Sequence, residues 1–131
     1  MKLIQKAVIK KGDKYLIQLR SKNAKHFPLC WDFPGGGLED KEDPLEGITR
    51  EVKEETNFDV KPIKVLGIYE FDDIDNKGKT KIRFTIYSTE IISENLKISD
   101  EHIEQRWATK EKILKLPIEP YFEPFFKDNP K

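Results

Sequence analysis

Glu51, Glu54 and Glu55 stand at i, i+3 and i+4 in the segment Arg50-Glu51-Val52-Lys53-Glu54-Glu55. Side chains at that spacing share one face of a helix. Like charges so placed repel by about 0.2–0.5 kcal/mol per pair, and a divalent cation is the natural offset. Clustered carboxylate oxygens suit the hard ions Mg²⁺ and Mn²⁺. The plainer reading is a solvated helix face shared with Arg50 and Lys53, and spacing alone does not choose between them. Upstream lies Gly35-Gly36-Gly37. Successive glycines allow close backbone approach and could turn a carbonyl or N–H toward an ion or a phosphate. A flexible turn is the simpler alternative.

These residues need elements to position them. Asp43-Pro44 reads as a helix start, with Asp43 as N-cap and Pro44 at the first helical position. Leu45, Ile48 and Val52 recur at helical spacing, so the pattern predicts a helix over 44–56 with the acidic ridge beside its apolar stripe. Strands are expected over 3–9, 15–19, 63–71 and 81–92, with short strands or turns at 31–33 and 106–108. The segments 20–27, 34–37 and 72–80 read as loops, the last of them a hairpin. Thr109 should cap a short helix ended by Pro117, and 119–126 should form another helical stretch. Strands mixed with two or three helices predict an α/β fold, with helices packed on a mixed sheet.

Composition bounds the function classes. The 131 residues suit one domain, and 24 Lys+Arg balance 24 Asp+Glu. That neutrality argues against a nonspecific nucleic-acid binder, and one Cys excludes an internal disulfide framework. No apolar run is long enough to span a bilayer, and early charges argue against a signal peptide. The expectation is a soluble, cytoplasmic protein with no membrane partner and no stable nucleic-acid partner. The neutrality is also segregated. Residues 1–27 carry eight basic groups and one acid, whereas 28–57 carry three basic groups and nine acids.

Gly36, Glu42, Arg50-Glu51-Val52, Glu54-Glu55 and Phe58 together resemble the Nudix box, G-x5-E-x7-R-E-U-x-E-E-x-G-U, where U is a bulky aliphatic residue. Trp31-Asp32-Phe33-Pro34-Gly35 is similar to the usual lead-in. One position departs: Asn57 replaces the last glycine, and Asn is the next most tolerant residue for a left-handed helix cap. The resemblance implies an α/β/α sandwich over a single domain, 1–131. It implies Mg²⁺- or Mn²⁺-dependent hydrolysis of a nucleoside diphosphate-linked small molecule. Glu51, Glu54, Glu55 and the Gly36 carbonyl become the expected metal ligands. Glu42 and Arg50 become a supporting pair that holds the loop on the helix. The general base is shared between Glu54 and Glu101, the latter lying six residues before Trp107. Arg20 is the favoured phosphate contact from the basic arm.

Phe122 falls where MutT-like members place a base-reading Asn, and it could stack on a nucleobase. Phe125 and Phe126 fit helix-core packing better. His26 and His102 read as polar surface residues, and Cys30 as a small core residue. A nucleoside triphosphate pyrophosphohydrolase, yielding a monophosphate and pyrophosphate, is the leading expectation. An ADP-ribose, nucleotide-sugar or dinucleoside polyphosphate hydrolase is the alternative, and a non-catalytic nucleotide-sensing module the alternative of another class. The family's small members often form homodimers.

Overall fold

The computed structural model describes residues 1–75, 78–95 and 102–130. Among the described residues, eight strands and three helices follow in the order β1 (Lys2–Val8), β2 (Lys10–Lys11), β3 (Lys14–Arg20), β4 (Trp31–Asp32), β5 (Gly35–Gly37), α1 (Pro44–Thr56), β6 (Asp59–Asp75), β7 (Gly78–Ser93), β8 (His102–Thr109), α2 (Lys110–Ile113) and α3 (Phe122–Asp128). One four-stranded sheet runs β5-β1-β7-β6, and it is mixed because only β1 and β7 are parallel. The second sheet sets β2, β4 and β8 antiparallel against β3.

Side chains alternate across a strand, and this divides the core in two. Ala7, Ile9, Leu16 and Tyr87 turn to one side, where Ile48 and Val52 of α1 cover them. Val8, Tyr15, Ile17, Ile82, Phe84 and Ile86 turn to the other, under Ile113, Phe122, Phe125 and Phe126 of the C-terminal helices. Helices therefore lie on both faces of the strand layer, which makes the fold an α/β/α sandwich.

Three expectations change. The glycine run is an edge strand, since β5 pairs antiparallel with β1 through Ile4, Gln5 and Lys6. Backbone pairing requires no side chains, so composition could not reveal it. The 72–80 loop is largely strand, because β6 and β7 pair out to Asp75 and Gly78. Leu45 is half-exposed, so the buried stripe of α1 begins at Ile48.

Candidate active site

α1 is set by its ends. The Asp43 carboxylate accepts the Leu45 and Glu46 N–H groups at 2.8 and 3.1 Å. At the other end Asn57 takes the left-handed conformation, φ 63°, and its N–H donates to the Lys53 carbonyl. Between these caps the three glutamates meet three environments. Glu55 continues the buried stripe of Ile48 and Val52 and is only 6% exposed. Its Oε1 accepts the Gly35 N–H at 2.8 Å. Glu51 lies one step around the helix, against Gly36: a Cβ on that glycine would stand 2.5 Å from Glu51 Oε2. Glu54 faces outward, with its side chain 59% exposed. Burial pushes the Glu55 pKa well above the usual carboxylate range; nearby Lys6 opposes the shift and Asp32 adds to it.

Arg50 joins the loop before α1 to the helix. Its Nε and Nη2 donate to the two Glu42 oxygens at 2.8 and 3.0 Å, a two-pronged bond that needs the planar guanidinium. Glu42 also accepts the Glu39 N–H, and the Arg50 bond leads in holding its carboxyl low. The remaining Arg50 nitrogen, Nη1, lies 3.1 Å from Glu51 and 3.3 Å from Glu54.

With this cation between them, no three His, Cys, Asp or Glu groups among the described residues converge on one point. The donor chemistry nevertheless fits a hard divalent ion: three carboxylates and a glycine backbone, without sulfur or imidazole. The close fit of Glu51 against Gly36 leaves only a backbone surface there. A cation would enter by replacing the Arg50 Nη1 contact. It would also favour the ionised form of Glu55.

Beyond β5 lies a cavity of about 480 Å³. Gly35–Gly37 form one wall, Ile4 and Lys6 of β1 another, and Arg20, Phe27, Phe84 and Glu119 close much of the rest. A buried charge network lies at its inner end. Lys6 Nζ is 3.0 Å from Asp32 and 3.7 Å from Glu119. Arg20 reaches the same two acids at 3.3 and 3.8 Å, and His102 Nε2 lies 3.2 Å from Asp32. Burial favours neutral forms throughout, and the partners decide which groups stay charged. For Asp32, burial is outweighed by Lys6, His102 and Arg20, which bring the pKa to about 2. For Lys6, the acids outweigh burial and hold the pKa up. For Glu119, burial wins and raises the pKa to about 7.

The sequence-derived candidates are distributed unevenly over this geometry. Gly36, Glu51 and Glu55 are brought together, with Glu54 outside them and Glu42 and Arg50 behind. Arg20 lines the cavity, but Asp32, Glu119 and the His26 carbonyl already engage it. Phe122 is not available to stack on a base: it is fully buried, its ring centroid 4.6 Å from that of Phe33. Glu101 lies outside the described residues. His102 is buried on Asp32 rather than exposed, because β8 pairs with the end of β3 and turns the ring inward. Cys30 is only partly buried.

Glu119 was missed. It is brought to Asp32 by backbone bonds, Trp31 N–H to Pro117 O and Glu119 N–H to Trp31 O. The available signal was an acid standing alone within Pro117-Ile118-Glu119-Pro120-Tyr121, an otherwise uncharged segment. Its Oε1 is buried without a hydrogen-bond partner.

The fold and site define an α/β/α sandwich in which a glycine strand is laid against a carboxylate-bearing helix. A NUDIX domain model matches residues 6–128, and the chain belongs to that family. An ADP-ribose pyrophosphatase of Methanocaldococcus jannaschii is 31% identical over 112 residues, covering 86% of this chain and 64% of that protein. Mouse diphosphoinositol polyphosphate phosphohydrolase 2 is 35% identical over 72 residues, covering 55% of this chain and 38% of that protein. The chain thus spans less than two thirds of the length of both relatives. The crystal structure of a MutT protein from Methanosarcina mazei Go1 superposes with a TM-score of 0.83 at 30% identity, covering 99% of this chain and 96% of that one. Among the described residues no helix is long and apolar enough to cross a membrane.

Proposed function

We propose that the chain hydrolyses a diphosphate bond in a nucleoside diphosphate-linked small molecule, with Mg²⁺ or Mn²⁺ held by Glu51, Glu54, Glu55 and the Gly36 carbonyl. The observation that carries this reading is the shared glycine wall. Gly35 and Gly36 touch the carboxylates of α1 and also line the cavity. A diphosphate on that wall would meet the carboxylates, and a bound divalent ion supplies the charge neutralisation and water activation that reaction needs.

The chain's own residues divide the remaining work. Glu55, fixed on Gly35 N–H, keeps α1 against the strand. Arg50 and Glu42 hold the loop between β5 and α1. Glu54, the most exposed of the three, is free of the core and suited to take the proton of the attacking water, a role shared with Glu101 as alternative. The cavity receives the nucleoside, with Phe27 and Phe84 as apolar surfaces and Glu119 as acceptor for a base N–H.

The favoured substrate is a nucleoside triphosphate, cleaved to monophosphate and pyrophosphate; the likeness to a MutT protein over nearly the whole chain supports it. ADP-ribose is the second reading, supported by the name of the Methanocaldococcus relative. The test is incubation with Mg²⁺ and a panel of nucleoside triphosphates, ADP-ribose and dinucleoside polyphosphates, with products separated by ion exchange. Turnover lost in Glu54→Gln is expected. No turnover of any substrate at micromolar protein would overturn the proposal. Action in the cytoplasm, and assembly into a homodimer, belong to the same proposal; size-exclusion chromatography with light scattering tests the second.

A further inference from the structure

The cavity is lined by several cations that differ in what already neutralises them. Lys2, Ile4 and Lys6 project from the same face of β1, because side chains alternate along a strand. Strand rise puts Lys2 about 13 Å from Lys6, at the opposite end of the cavity. Lys6 is bound to Asp32 and Glu119 at the inner end, and Arg20 is bound to the same acids. Neither brings an uncompensated charge to a ligand. Lys22 and Lys25, in the basic segment that follows β3, are exposed and do not line the cavity.

Lys2 is different. Its Nζ lies 2.6 Å from His26 Nε2, and His26 Nδ1 lies 2.7 Å from Asp73 Oδ2. Among the described residues no carboxylate stands within ion-pair distance of Lys2. An ammonium group can only donate, so His26 Nε2 accepts. The ring proton then belongs on Nδ1, which stands at ion-pair distance from Asp73 Oδ2, an oxygen that has no hydrogen-bond partner. One tautomer lets His26 Nε2 accept from Lys2 while Nδ1 faces Asp73. His26 thereby holds the ammonium at the cavity wall with two N–H donors left over. Lys2 and His26 both line the cavity beside Gly36 and Gly37.

We infer that Lys2, held by His26, is the phosphate-contacting cation of the cavity, and that His26 is a positioning residue acting through it. The inference rests on the nucleotide reading given above. It assigns to Lys2 the role expected of Arg20 in the basic N-terminal segment. A phosphoryl oxygen is the chemistry that matches a fixed ammonium with two free donors.

The test is calorimetric binding of the common nucleoside 5′-monophosphates and of the corresponding nucleosides, in Mg²⁺, to the full chain. The wild type should bind a monophosphate at least ten times more tightly than its nucleoside. Lys2→Ala should remove most of that difference and leave nucleoside affinity within a factor of two. Lys2→Arg should restore part of it. His26→Phe should reduce the difference several-fold, and His26→Gln, which keeps an acceptor near Nε2, should restore it. Adding Lys2→Ala to His26→Phe should cost little more than Lys2→Ala alone, since His26 acts through Lys2. In turnover, Lys2→Ala should raise KM with kcat nearly unchanged.

Equal weakening of nucleoside and monophosphate in Lys2→Ala would overturn the inference, as would an unchanged preference for phosphate or a wild type with none. Failure of the hydrolase reading gives another pattern: no turnover of any substrate, with the Lys2-dependent preference for phosphate still present.

Discussion

Two charge clusters flank the glycine strand, and they are built on opposite principles. On the helix side, Arg50 reaches Glu39, Glu42, Glu51 and Glu54 from a site partly open to water. Apart from the two-pronged Arg50–Glu42 bond, the contacts there are individually weak and exchangeable, because water competes and screens. On the cavity side, Lys6, Arg20 and His102 converge on Asp32 and Glu119 with almost no water access. Removing one partner there leaves another charge buried and uncompensated, which is the costly event in a dry ion network. The first cluster can rearrange around an incoming cation. The second is fixed and gives one end of the cavity a permanent shape and polarity.

Substitution should separate the two clusters by size and kind of effect. The largest belongs to the buried side. Asp32→Ala leaves Lys6 and His102 without their common acid and should destabilise the fold by about 3–5 kcal/mol, read by urea unfolding. A loss under 1 kcal/mol would show that the network is hydrated.

Next comes a pH effect from the same cluster. The folded chain holds the Glu119 proton up to about pH 7, and the unfolded chain releases it near its ordinary value of 4.5. The folded state therefore binds more protons across that interval, and stability falls as pH rises through it, by roughly 3 kcal/mol from this group. Glu119→Gln should flatten the decline, and an unchanged slope in thermal melts from pH 4.5 to 7 would remove Glu119 as its source. Asp32 acts oppositely and lower. Its contribution is present above pH 4 and lost as pH falls toward its folded value of about 2.

On the exposed side the effect moves from stability to rate. Glu54→Gln should lower kcat by about 100-fold while shifting the melting midpoint little, because the side chain is more than half exposed. A large stability loss would mean that Glu54 is structural. The smallest effect is at the helix end, where Asn57→Ala should cost about 1 kcal/mol and Asn57→Gly should stabilise by a few tenths, since glycine is the preferred left-handed cap. Circular dichroism melts would resolve the pair.

The same contrast explains what the sequence could disclose. Gly36, Glu42, Arg50, Glu51, Glu54 and Glu55 fall within twenty residues on a strand, a loop and one helix. Helical period and capping residues were enough to align them, and Asp43, Pro44 and Asn57 occupy the cap positions their chemistry suggests. The buried cluster draws one residue from each of five separate places: Lys6, Arg20, Asp32, His102 and Glu119. Nothing local links them. They meet because β3 pairs with both β4 and β8, and because the Pro117–Glu119 backbone bonds to Trp31. Phe122 matches a base-reading position only by its place in the order of the chain. Its neighbour Tyr121, which accepts the Phe33 N–H through its hydroxyl, turns the same segment so that Glu119 borders the cavity and Phe122 enters the core.

β5 places these two worlds one backbone apart. A methyl group at Gly35 would stand 2.0 Å from the Gln5 carbonyl oxygen, and at Gly36 it would strike Glu51, whereas at Gly37 it meets nothing within 4 Å. The strand is thus a partition with no side chains of its own, closed over its first two residues and open at the third. The open end of the pocket, at Lys2 and Phe27, can be rebuilt without touching the carboxylates on the other side. Under the hydrolase reading, descendants of this chain could change what they bind while keeping how they cut.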